Sequence, residues 1–356
     1  MSSVGLVAAL ASAVLFGVTT PLAKQLLEGV SPLLVAGLLY LGSGIGVTLW
    51  RIIQDRRASS TGLVRSDWPW LAAATVAGGV VAPVLLMEGL ARADAATASL
   101  LLNLEAVFTG LLAWLVFREA TSRRIVWGFV AIFVGGLLLT WPAQFVSPGH
   151  SFGLILIAGA CLCWGLDNNL TRRISTSDSR VIAGIKGIAA GTTNTALALS
   201  LGAVLPAPSY LAGTLVLGFI GYGLSLVLFI VALRNLGTAR TGAYFATAPF
   251  IGTALAVSLY GQPITVAFWI AALLMALGVW LHLSEDHGHE HVHEPLTHAH
   301  PHVHDTHHQH RHDDAWDGRE PHTHEHSHQA MKHGHAHFPD IHHQHRHGQS
   351  NHGAER

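Results

Sequence analysis

Between Val4 and Leu283 one feature recurs: apolar runs of about 20 residues, separated by short polar joints. A helix of that length crosses a hydrocarbon core about 30 Å thick. Backbone N–H and C=O groups cannot stay unpaired in lipid, so these runs are helices. Only 12% of the residues are charged, roughly half the share usual in soluble domains. Mean hydropathy is +0.41 even with a polar tail included. The fold class this implies is all-α: a polytopic membrane protein.

Ten spans fit, at about 4–24, 31–51, 69–91, 95–116, 124–142, 152–171, 181–202, 211–233, 240–260 and 264–283. Their joints carry breakers such as Ser31-Pro32, Trp141-Pro142 and Pro206-Ala207-Pro208. The start MSSVGL lacks a basic leader region, so the first run is expected to be a retained span. Cys161 and Cys163 lie in one apolar run and form no disulfide framework. With the N-terminus inside, inner joints hold twelve basic residues, from Arg51 to Arg240, and outer joints only Lys24 and Arg92. That bias predicts cytoplasmic termini in a plasma (inner) membrane.

The chain also repeats itself. GLARADAATASLLLNLEAVFTGLLAWLVFRE (89–119) aligns with VALRNLGTARTGAYFATAPFIGTALAVSLYGQ (231–262), which is one residue longer, so that Ala106 falls on Pro249. SAVLFGVTTPLAK (12–24) aligns with ACLCWGLDNNLTR (160–172), Gly17 on Gly165, and residues 32–44 match the register of 179–191. Five spans per half is an odd number, so the halves sit in opposite orientations, which is a transporter architecture. The expected organisation is a first five-helix repeat over 1–143, a second over 144–283 and a disordered tail over 284–356. Gly37, Gly42, Gly44 and Gly46, with Gly184, Gly187 and Gly191, are expected to let helices pack closely. Pro83 and Pro249 fall inside spans and are expected to bend them.

Phe16-Gly17 and Trp164-Gly165, Leu104-Glu105-Ala106 and Ala248-Pro249, and Glu119 resemble the motifs of the EamA-type drug/metabolite transporter superfamily, across residues 1–283. The resemblance implies a ten-helix inverted-repeat fold that moves a small molecule by alternating access. It is incomplete: Ala106 stands where proline is expected, Gln262 where the second half should carry glutamate, and Leu39 where the repeat has Lys186.

Ionisable groups inside spans are costly and default to functional candidates. Glu105, about ten residues from either end of the fourth span, is a candidate proton carrier. Glu88 lies near an outer end and can reach the interface. Lys186 either serves the path or snorkels to the inner surface. Asp167, Asn168 and Asn169 either line an inner vestibule or, slightly favoured, cap a helix end. Asn103, Thr192, Thr193, Asn194, Tyr222 and Tyr244 line a path or bridge helices. Cys163 and Asp167 share a face, which is half a metal site at most.

Of 26 histidines, 24 lie from His287 to His352, so the tail rather than the bundle is the place for metal. Candidate ligands are His287, His289, His291, His293, His298, His300, His302, His304, His307, His308, His310, His312, His322, His324, His326 and His328. Neutral imidazoles suit Zn, Ni, Co or Cu, and His-rich tracts bind such ions by composition. Interleaved acidic residues and prolines exclude a fixed catalytic centre or an engineered tag, and the alternative role is a response to pH. No cofactor is required. No nucleophile or phosphate loop appears, so no enzyme is expected, and nothing points to nucleic acid. Expected partners are a small-molecule substrate, the lipid bilayer and transition-metal ions at the tail, with a homodimer left open. The leading expectation is an exporter of a small metabolite or drug. The alternative is a divalent transition-metal transporter whose tail collects or senses the ion; against it, no histidine lies at midplane, since His150 is in a loop and His282 at the end of the last span.

Overall fold

The computed structural model describes residues 3–54, 62–116, 123–140, 148–261 and 264–284, and tail backbone at 288–293, 296–302, 322–328 and 331–336. Its helices are α1 (Ser3–Leu26), α2 (Pro32–Gln54), α3 (Trp68–Ala74), α4 (Ala82–Arg92), α5 (Ala95–Leu101), α6 (Leu104–Leu115) and α7 (Arg123–Thr140). Then follow α8 (Pro148–Arg173), α9 (Ser179–Ser200), α10 (Pro208–Gly218), α11 (Ser225–Phe245), α12 (Ala248–Tyr260) and α13 (Val266–Leu283). Eight stretches among the described residues are long and apolar enough to cross a membrane. The 22-residue α9 is not among them: Lys186, Thr192, Thr193 and Asn194 dilute its hydropathy.

Local chemistry sets where the helices begin. Pro32, Pro148 and Pro208 open α2, α8 and α10, at the end where a missing N–H costs no hydrogen bond. Asp94 caps α5 through the Thr97 amide at 2.7 Å, Asp178 accepts from the Arg180 amide at 2.9 Å, and Thr265 caps α13 through the Phe268 amide at 3.1 Å.

Four interruptions shape the bundle. Between α3 and α4 the helix widens to π geometry over Thr75–Val81, and between α10 and α11 over Phe219–Leu224. Such segments shift the hydrogen-bond register and release carbonyls. The fourth stretch breaks at Leu102–Asn103, between α5 and α6, and a matching break at Ala246–Thr247 separates α11 from α12. Both breaks are spanned by i to i+3 bonds, Asn103 to Leu100 and Thr247 to Tyr244. Pro83 and Pro249 each follow an interruption, at the start of α4 and α12.

The joint expected near residues 234–240 lies inside α11. Phe229 and Phe245 are sixteen residues apart, which a straight helix would set about 24 Å apart. Their ring centroids are 4.9 Å apart, so the chain reverses between them.

The helices pack α2 on α9, α7 on α13, α1 on α11 and α12, and α8 on α4 and α6. At the α2–α9 crossing a Cβ on Gly44 would enter the Gly187–Ile188 backbone, and one on Gly187 would enter Gly44. The backbones meet there because neither glycine has a side chain. On α13, Trp269, Leu273, Leu277 and Trp280 face outward while Phe268, Ala271 and Met275 are buried. Large apolar groups on the outside are what a lipid solvent selects.

One end of the bundle is fastened through its basic joints. Arg51 of α2 reaches Asp178 at 3.3 Å, Arg234 donates to the Ser177 carbonyl at 2.8 Å, and Arg173 lies 4.4 Å above the Trp70 ring. Burial pushes the Asp178 carboxyl up, but the Arg180 amide and guanidinium, with Arg51, outweigh it and hold its pKa below the usual carboxylate value.

Beyond α13 the described tail backbone is extended. β1 (Gly288–His293) pairs antiparallel with β4 (Met331–Ala336), and β2 (Leu296–His302) with β3 (His322–His328). Histidine at every second residue has the period of a strand, a regularity that composition alone does not capture.

Candidate functional site

Two wall groups organise the centre of the bundle. The π geometry of Thr75–Val81 leaves the Gly78 carbonyl free to accept from outside its own helix. It takes the Tyr40 hydroxyl at 2.7 Å and the Trp164 indole N–H at 3.0 Å. Gly78 is required here, since a Cβ would run into the Asp167 carboxylate.

Asp167 is the second organiser. Lys186 Nζ donates to its two carboxylate oxygens at 2.5 and 2.7 Å, and to the Thr171 hydroxyl at 3.2 Å. Thr171 in turn donates to Asp167 Oδ1 at 2.8 Å. Lys186 is 1% exposed and Asp167 6%. In so dry a place each charge persists only because the other is there. Lys186 therefore does not snorkel, and Asp167 does not cap α8, which continues to Arg173.

Glu105 is the second residue of α6, just after the Leu102–Asn103 break. The break places its carboxylate at a helix N-terminus, where the helix dipole favours negative charge. Asn168 Nδ2 donates to Glu105 Oε1 at 2.9 Å and lies 3.2 Å from the Thr109 hydroxyl. Asn169 donates to the Thr109 and Gly165 carbonyls at 3.0 and 2.8 Å, which makes it a helix bridge and not a cap. Among the described residues no Lys, Arg or His is ion-paired with Glu105.

These groups surround a cavity of about 70 Å³. A single water needs roughly 10–15 Å³ of such space, so several waters or a small solute fit. Six aromatic side chains line the cavity, among them Phe16, Tyr40, Trp164, Tyr222 and Phe245. Phe16 stands edge-on to Trp164 and to Tyr222, both at 5.7 Å, and Tyr40 lies 5.2 Å from Tyr222. Phe245 closes the set, 5.4 Å from Phe16.

Of the expected path residues, the fold brings Glu105, Asp167, Asn168, Lys186 and Tyr222 to this cavity. It leaves out the rest, Thr192 and Thr193 among them. Glu88 is paired with Arg92 on an exposed surface, one turn away on the same helix. Asn103 is buried and donates to the Leu100 carbonyl at 3.0 Å. Asn194 bridges α9 to the Val80 carbonyl at 3.1 Å. Tyr244 packs beside Ala8, Ala9 and Ala232. Phe16, Tyr40, Trp164 and Phe245 were not expected at a site. The Phe-Gly and Trp-Gly pairs at 16–17 and 164–165 were the signal for two of them.

Among the described residues no group of three or more His, Cys, Asp or Glu is placed to hold a metal ion. Glu119 and Gln262 lie outside the described residues, as do His287, His304, His307, His308, His310 and His312. The other candidate tail ligands are described only as strand backbone.

A sequence model of the EamA-like transporter family matches residues 3–141 and again 151–284. The chain is similar to an uncharacterized transporter of Methanothermobacter thermautotrophicus, 26% identical over 292 residues that cover 78% of this chain and 85% of that one. It is 36% identical over 110 residues to a Pseudomonas fluorescens protein named "Probable 4-amino-4-deoxy-L-arabinose-phosphoundecaprenol flippase subunit ArnE", covering 30% of this chain and 90% of that one. A solved crystal structure shares the fold, with a TM-score of 0.61 at 20% identity, over 77% of this chain and 94% of that one.

Proposed function

Since the chain belongs to the EamA-like transporter family, we propose that it is a ten-span exporter of a small organic molecule, working by alternating access. The observation that carries this reading is the cavity. Its wall is shared between the two matched segments: Phe16, Tyr40 and Glu105 come from the first, Trp164, Asp167 and Tyr222 from the second.

The packing supports an inverted repeat. Exchange the first five spans for the second five, and α2–α9 and α7–α13 map onto themselves. The α1–α11 contact becomes α8–α4, and α1–α12 becomes α8–α6. The π segments and the two helix breaks exchange in the same way. A site between two such halves opens to one side or the other when they rock. The interruptions supply the places where the helices can bend.

Both termini are cytoplasmic in this reading, supported by the twelve-to-two basic bias. The tail binds Zn, Ni, Co or Cu and tunes flux, supported by its 24 histidines. Metal as cargo is the weaker reading, because of the two acids lining the cavity Asp167 is already matched by Lys186, which leaves Glu105 alone. Flux in everted vesicles, over a panel of amines, amino acids, organic acids and divalent metals, tests the proposal. ATP-independent accumulation of an organic solute supports it. Accumulation of a divalent metal alone overturns it.

A further inference from the structure

We infer that the cavity takes a monovalent organic cation, an amine or a quaternary ammonium, and this rests on the transport reading above. The inference comes from an inventory of what the wall leaves uncommitted. Lys186 and Asp167 cancel, each bound to the other and to Thr171. Glu105 has one amide donor, from Asn168, and no cation among the described residues. The described lining therefore carries one uncompensated carboxylate when Glu105 is ionised.

The polar ends of two aromatics are also committed. The Tyr40 hydroxyl and the Trp164 N–H both go to the Gly78 carbonyl. What these residues leave for a solute is ring surface, joined by that of Phe16, Tyr222 and Phe245. Aromatic rings around one carboxylate attract a soft cation through both the π quadrupole and the charge. An anion would meet Glu105 with no free cation to offset it. A zwitterion would need Lys186 for its carboxylate, and Lys186 is taken. A divalent metal would need several hard or imidazole ligands, and the described residues offer no such group.

Four probes of nearly one shape separate these cases: choline, its neutral isostere 3,3-dimethylbutan-1-ol, the zwitterion glycine betaine, and the anion 3,3-dimethylbutanoate. Binding of each to the purified full-length protein in lipid nanodiscs is measured by calorimetry, and flux separately in proteoliposomes. Choline is expected to bind at least about tenfold tighter than the other three, from cation–π contacts and the charge. Glu105→Gln should abolish that preference. Phe16→Leu and Tyr222→Leu should each weaken choline by roughly threefold to tenfold, and the alcohol by less, because it loses ring contact but no cation–π attraction. Equal or tighter binding of the betaine, the anion or the alcohol overturns the inference, even if those solutes are transported. Choline bound with the expected preference, but no probe moved, leaves the cation site standing and counts against the transport reading instead.

Discussion

Two joints in the bundle make the same contact with different chemistry. Gly78, in one π segment, abuts the side chain of Asp167 on α8; Gly221, in the other, abuts the Thr19 hydroxyl on α1. In the alignment of residues 12–24 with 160–172, Thr19 and Asp167 occupy the same position. Packing asks only for glycine on one side and a small polar group on the other, and threonine meets that need. Thr19 returns its hydroxyl to its own helix, to the Leu15 carbonyl at 2.7 Å. Asp167 instead needs Lys186, which stands where the first half has Leu39. The fold can do without this charge pair. Its presence on one side alone marks that side as the specialised one.

The largest test of this contrast is to unpair the charges. Lys186→Met leaves a dry carboxylate and should cost about 3 kcal/mol or more. Thr19→Val, at the counterpart joint, should cost about 1 kcal/mol for one lost hydrogen bond. Adding Asp167→Leu to Lys186→Met should recover most of the loss. Thermal unfolding of detergent-purified variants reads all three. Equal losses at the two joints would mean that the pair carries no special strain.

Glu105 and Ala248 form a second unequal pair, each following a helix break. Glu105→Gln keeps the shape and the Asn168 contact but removes the charge. Insertion and unfolding temperature should hold, while substrate flux in vesicles falls at least about tenfold, equivalent to roughly 1.4 kcal/mol. Wild-type flux in this variant would make the carboxylate a structural partner of Asn168.

The glycines themselves test the same contrast through packing. Gly78→Ala should cost roughly 2–3 kcal/mol, because Asp167 is held by Lys186 and cannot move aside. Gly221→Ala should cost less, because Thr19, whose side chain must give way as a whole, is held by one hydrogen bond and no ion pair. The difference in unfolding midpoint between the two variants is the measurement.

Apolar runs, breakers and the position of Glu105 were legible because they follow from length, hydropathy and depth in a span. The Asp167–Lys186 pair was not. It joins residues 19 apart in sequence on two different helices, and no local rule says which buried acid meets which base. The π segments were hidden too, since they depend on how a helix packs; Gly78-Gly79 and Gly221-Tyr222-Gly223 were the only hint. Glu88, Asn103, Asn194 and Tyr244 are polar groups in spans that have local or interhelical partners, and composition cannot separate those from groups that line a cavity. The reversal inside α11 reads as a loop in the sequence. Continuous helical geometry through the turn is a tertiary outcome.

The smallest effect belongs to the tail, and it fixes the zero of the comparison. Among the described residues the tail strands pair with one another, β1 with β4 and β2 with β3. Removing residues 287–356 therefore takes no helix and neither organising group from the bundle, while it deletes all 24 clustered histidines. The truncated protein should insert, unfold at the same temperature and carry its organic solute at an unchanged saturated rate. What it should lose is any response of flux to added Zn, Ni, Co or Cu, along with binding of those ions measured by calorimetry. Loss of flux at saturating solute, with insertion intact, would place the tail inside the transport cycle. The unequal joints at Thr19 and Asp167 would then have to be tested again with the tail in place and metal absent, because the specialised side could be where the tail acts.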